Sequence, residues 1–114
     1  MSISSSLFAK SIHLDDLYSR YEQADYSSME LAEYHQTVDF QAVIVDVDQN
    51  LSGDALIEIA SPTDPETTLA RVVPASSSEV KFAHVNAGQQ VKLECQLEMT
   101  MGSEYLGFGE CELK

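Results

Sequence analysis

From Val91 to Thr100 the chain alternates apolar and polar side chains without a break: Val91-Lys92-Leu93-Glu94-Cys95-Gln96-Leu97-Glu98-Met99-Thr100. Successive side chains on a β-strand point to opposite faces, so this segment has one face for a core and one for water. Val91, Leu93, Cys95, Leu97 and Met99 are expected to face inward, and Lys92, Glu94, Gln96 and Glu98 outward. A turn signal follows, Met101-Gly102-Ser103-Glu104, and then a second β-like run from Tyr105 to Leu113. The pattern predicts a C-terminal hairpin in a small, mainly β domain.

The rest of the chain sorts by period. Residues 1–10 are rich in Ser and have none, which suits a loose N-terminal arm before a single domain over 11–114. Leu14, Leu17, Tyr18 and Tyr21 recur at helical spacing, with Asp15 and Asp16 where carboxylates favour the positive end of a helix dipole. A helix from Ile12 to Ala24 is expected, its tyrosine hydroxyls reaching the rim. Ser27 with Glu30 offers a capping box for a short helical piece through Tyr34. After His35 the period drops to two. Val38 to Val47 predicts a strand long enough to curl, Asp48 to Gly53 a turn, and Ala55 to Ala60 a second strand. Ser61 to Glu66 is expected to be an acidic loop, because Pro62 and Pro65 oppose regular pairing. Thr68 to Val73 makes a third strand, and Ser76-Ser77-Ser78-Glu79 starts a single helical turn from Val80 to Val85. Asn86-Ala87-Gly88 then leads into the strand at Gln90.

Five strands with a small helix between the third and fourth, preceded by an N-terminal helix, is the layout of the OB-fold, a five-stranded Greek-key β-barrel. Gly107 and Gly109 in the last strand are where a bend would let a small barrel close. Over residues 14–113 the chain resembles the OB-fold family called tRNA_anti-like. The resemblance is carried by the Asp16-Leu17-Tyr18…Tyr21-Glu22 helix leading to Tyr34 and the strand at Val38. It is carried also by Ala87-Gly88-Gln89-Gln90-Val91-Lys92-Leu93 with a final Gly109-Glu110-Cys111-Glu112-Leu113. It implies bacterial OB-fold proteins, often exported or carried on mobile elements, whose functions are mostly inferred from the fold.

With 114 residues, the chain is long enough to bury a core without metal or disulfide help. Its 19 acidic residues against 6 basic ones give a formal net charge of -13. Such a surface repels polyanions and suits a basic partner, a DNA-mimicking inhibitor, or solubility alone. An OB-fold that binds single strands needs a basic groove and stacking aromatics on its second and third strands. Here the second strand has neither, and the third offers only Arg71. The surrounding loops bring Asp48, Asp54, Asp64, Glu66 and Glu104. The expected function is therefore a non-enzymatic module that recognises a protein partner through an acidic surface. Asp54, Asp64, Glu66, Arg71, Glu104 and Tyr105 are the candidate contact residues. Single-stranded nucleic-acid binding through the OB groove, or action as an acidic DNA-mimicking inhibitor, is the alternative.

No enzymatic signature or cofactor motif is present, and none is expected. His13, Asp15 and Asp16 are read as a helix start rather than a metal site, and Asp46 and Asp48 as a solvated strand end rather than an acid/base pair. Cys95 and Cys111 fall on the two strands of the hairpin. They are read as small buried thiols, a disulfide in an oxidising compartment being the alternative. The start lacks a basic region followed by an apolar run, so a cytoplasmic location is expected, although a chain trimmed after an export signal would begin the same way.

Overall fold

The alternation that opens the sequence becomes one side of a ring. In the computed structural model, residues 9–49 and 55–114 are described. In order they form β1 (Lys10–Ser11), α1 (Leu14–Gln23), β2 (Thr37–Gln49), β3 (Ala55–Ser61), β4 (Asp64–Pro74), α2 (Glu79–Phe82), β5 (Gln90–Leu97) and β6 (Leu106–Leu113). Single 3-10 turns at Ser28–Glu30 and Ser76–Ser78 precede β2 and α2. The sheet order is β1-β2-β3-β4-β6-β5, and β5 pairs back onto β2. Five strands therefore close a ring of hydrogen-bonded neighbours, antiparallel throughout except where β4 lies parallel to β6. The long β2 makes closure possible, because Thr37–Val43 pairs with β5 and Val43–Gln49 with β3. A register shift between Ile44 and Asp46 bends the strand between its two partners. The turn expected at Asp48–Gly53 lies largely outside the described residues, as do residues 1–8 of the expected arm; Lys10 and Ser11 pair with Val38 and Asp39.

The inward faces supply a continuous core of Val38, Phe40, Ile44, Ile57, Ile59, Val72, Leu93, Leu97, Leu106 and Phe108. Helix α1 adds Leu14, Leu17 and Tyr21, the stripe its spacing predicted. The tyrosines also hold the β5–β6 loop. The Tyr21 hydroxyl, fully buried rather than at a rim, donates to the Ser103 carbonyl at 2.6 Å and lies 3.3 Å from that of Tyr105. Tyr18 donates to the Glu104 carbonyl at 2.7 Å.

Several expectations fail for identifiable reasons. Strand β5 stops at Leu97, and Met99 is 58% exposed instead of inward. Buried Ser28 diverts the chain there: its hydroxyl donates to the Glu98 carbonyl at 2.9 Å and accepts from the Thr100 amide at 2.7 Å. The expected capping box does not form, since Ser27 makes no side-chain cap bond, and His13 caps α1 only by position. Glu94 is buried rather than outward because Lys114 lies over it, Nζ to Oε1 being 3.1 Å. The acidic loop is instead a tight turn at Pro62-Thr63, with Ser61 paired to Asp64. The prolines are tolerated because Pro65, Glu66 and Thr67 bulge out between the pairs Ser61–Asp64 and Ala60–Thr68. The helical turn is Glu79–Phe82, which buries Phe82 and leaves Val80 exposed.

Cys95 and Cys111 are not free thiols: they form a buried disulfide across β5 and β6. A bulge lies at the same point. Glu94 pairs with Glu112 and Gln96 with Gly109, so Cys95 faces both Glu110 and Cys111. Glu110 takes the extra residue's place at φ 51°, a left-handed conformation uncommon outside glycine. The bend expected at the glycines falls just beyond them.

One ion cluster ties the N-terminal segment to the ring. Glu33 is buried and accepts from both Arg20 guanidinium nitrogens, at 2.9 and 2.8 Å, and from Lys10 Nζ at 3.0 Å. The Arg20 hydrogen bonds, with Lys10 adding to them, outweigh the cost of burial and lower the Glu33 carboxyl from 4.5 to about 2.

Candidate functional site

Strands β4 and β6 run side by side in the same direction, and their outward positions differ sharply in size. β4 presents Arg71 and Val73, while β6 presents Gly107 and Gly109 on either side of inward Phe108. The absent side chains leave a trough of about 590 Å³, walled by Leu56 from β3, by Pro74, Ser76 and Glu79, and by Glu98 and Glu110. A Cβ at either glycine would press on a neighbouring side chain. A Cβ at Gly109 would stand 2.6 Å from Glu98 Oε1, and one at Gly107 would stand 2.9 Å from Thr100 Cγ2. The Glu98 side chain thus lies across the floor.

Arg71 sits at one end of this trough. Its register neighbours are Glu58 on β3 and Gly107 on β6. Its guanidinium carbon lies 4.6 Å from the centroid of the Tyr105 ring, a cation–π contact. The charge of Glu104, and then its hydrogen bond, push the Tyr105 hydroxyl above its ordinary range. Glu58 accepts from the Thr68 hydroxyl at 3.3 Å. The lining therefore holds one cation, Arg71, and three carboxylates, Glu79, Glu98 and Glu110.

The residues singled out from sequence divide into separate places. Arg71, Glu104 and Tyr105 come together at one end of the trough. Asp64 and Glu66 are exposed at the start of β4. Glu66 is five residues from Arg71, or roughly 16 Å along an extended strand. Asp54 lies outside the described residues. Glu79, Glu98 and Glu110 were missed. Their signal was Gly107-Phe108-Gly109, which puts two glycines on one strand face and so makes room for neighbouring carboxylates.

Elsewhere, His13, Asp15, Asp16, Asp39 and Lys92 line a second cavity of about 600 Å³ beside α1. Among the described residues, no three His, Cys, Asp or Glu side chains converge as metal ligands would. The disulfide occupies the Cys95 sulfur. Asp46 and Asp48 are exposed on β2, in register with Glu58 and Leu56. No helix among the described residues is long and apolar enough to cross a membrane.

No protein-family model matches the chain, so none supports the family expected from its sequence. No curated protein matches it either. Among solved structures it is similar to a Klebsiella pneumoniae protein named "putative nucleic acid-binding lipoprotein", with a TM-score of 0.70. The likeness covers 100% of this chain and 99% of that one at 11% sequence identity, so it is a likeness of fold.

Proposed function

We propose that the chain is a non-catalytic binding module of OB-fold type, which takes a basic protein partner on the outer face of β3, β4 and β6. The strand order β2-β3-β4-β6-β5 closing on β2, with α2 between β4 and β5, agrees with an OB-type Greek-key barrel. One observation carries the choice of partner: the trough opposes three carboxylates to a single cation already engaged with Tyr105. A phosphodiester strand would need that balance reversed, because affinity comes from cations that replace its counterions. The buried disulfide favours an oxidising compartment over the cytoplasmic location read from the first residues.

The second reading is single-strand nucleic-acid binding. The fold likeness to the Klebsiella protein favours it, as does an aromatic ring, Tyr105, beside this face. Affinity capture from the native host with the wild-type chain and with the Glu98→Lys/Glu110→Lys variant decides between them. A basic protein held by the wild type and lost by the variant is expected. Submicromolar binding of single-stranded DNA or RNA, steeply salt-dependent and lost on Arg71→Ala, would replace the first reading with the second.

A further inference from the structure

The chain has four methionines, and the three among the described residues, Met29, Met99 and Met101, are all exposed. A single thioether left in water is ordinary. Three gathered from two distant segments are less so, and hydrogen bonds gather these. Ser27 pairs with Met101 in an isolated antiparallel bridge. The Ser28 amide donates to the Thr100 carbonyl at 3.0 Å, and the Gly102 amide to the Tyr26 carbonyl at 2.9 Å. The Ser28 hydroxyl bonds the Glu98 carbonyl and the Thr100 amide as well. Met99 is thus spanned by bonds from Ser28 to both of its neighbours, and Met29 directly follows Ser28 in the chain.

The same bonds decide which way the side chains face. Ser28 is fully buried and the Thr100 hydroxyl is shielded from water, so both turn inward. Met99 and Met101 flank Thr100, and successive side chains of a paired segment alternate between its faces. The two thioethers therefore share the outer face, roughly 7 Å apart at the backbone. Met29 reaches the same place from the other segment. Methionine has three rotatable bonds, so in water each sulfur can swing to close gaps of this size.

A thioether is a neutral, polarizable donor that suits soft ions and serves hard ones poorly. The other soft donors of the chain, its two thiols, are closed in the Cys95–Cys111 disulfide, so the thioethers alone remain. Harder ions find no rival site among the described residues, where no three His, Cys, Asp or Glu side chains converge. Glu30 and Glu98 adjoin Met29 and Met99 in the chain, and their charge favours a cation that neutral sulfurs cannot themselves offset. We infer that Met29, Met99 and Met101 form a surface site for a soft monovalent cation, Cu(I). An ion held by all three ties the end of β5 to the segment before β2. Its occupancy does not depend on what the trough binds.

Cu(I), kept reduced with ascorbate under argon, is titrated into the full chain while the methionine methyl resonances are followed. The Met29, Met99 and Met101 methyls are expected to shift together and to saturate at one equivalent, whereas Zn(II) leaves all three in place. Met29→Leu, Met99→Leu and Met101→Leu each nearly conserve volume at an exposed position, so the fold should survive them. Each should weaken Cu(I) binding at least tenfold against a competing chelator. Saturation at Met99 and Met101 with Met29 unmoved overturns the three-sulfur site. No shift in excess Cu(I), an equal response to Zn(II), or an affinity that none of the three substitutions changes overturns the site altogether.

Discussion

Glu33 shows how little a single residue's role can be visible in its surroundings along the chain. It looks like one of 19 surface acids, yet it is the buried acceptor for Arg20 and Lys10, which come from other elements. Its carboxyl is held near 2 when folded and near 4.5 when not. Above both values this difference stabilises the fold, and the contribution fades as pH falls from 4.5 toward 2. The shift caps it at about 3 kcal/mol, reduced to roughly 1–2 because Arg20 and Lys10 are partly in water. Urea unfolding at pH 5 and pH 2.5 should therefore differ more in the wild type than in Glu33→Gln, which loses this dependence. The glycine floor gives a second residue-scale expectation. Gly109→Ala meets only the flexible end of Glu98, so the carboxylate should swing aside at a cost below about 1 kcal/mol. Unfolding midpoints should barely change, while binding at the trough should weaken several-fold.

At the scale of elements, periodicity made strands and helix legible, and it also marks where legibility ended. The alternation of Val91 to Leu97 and the 14-17-21 spacing of α1 both describe a face, and the core uses those faces. The end of β5 was hidden because Ser28, some seventy positions away, decides it through hydrogen bonds that no local pattern records. The β6 bulge was hidden likewise, since the strands on both sides impose it. Without its offset, the partner of Cys95 was uncertain, and the disulfide stayed an alternative. The trough was half legible: Arg71 and Tyr105 were picked out, but the carboxylates that line it come together through the parallel β4–β6 pairing, which the sequence does not display. Helix α1 supports this region from behind through Tyr21. Tyr21→Phe should cost about 1–2 kcal/mol, since it leaves the Ser103 carbonyl without this donor. It should also raise amide exchange in residues 103–105, measured by hydrogen–deuterium exchange.

For the whole molecule, ring closure joins segments far apart in the chain, and the disulfide fastens one of the joins. Its cysteines are 16 positions apart, and cross-linking a loop of that size is worth about 3 kcal/mol through the unfolded state. The Cys95→Ala/Cys111→Ala variant should lose stability of that order by chemical denaturation. A ring also limits exposed strand edges, but it does not remove them. β6 pairs with β4 only from Ala70 onward, so one edge of Asp64–Leu69 carries no described strand partner. There the chain places Asp64, Pro65 and Glu66, a missing donor between two charges, which is how proteins keep an open edge from recruiting another copy. The acidity of the hairpin tip is thereby accounted for without assigning it a ligand. Replacing Pro65 and Glu66 with valine should leave the ring folded yet make it self-associate with rising concentration, visible by light scattering. The residues that looked from sequence like an invitation to a partner would then be the ones that keep identical chains apart.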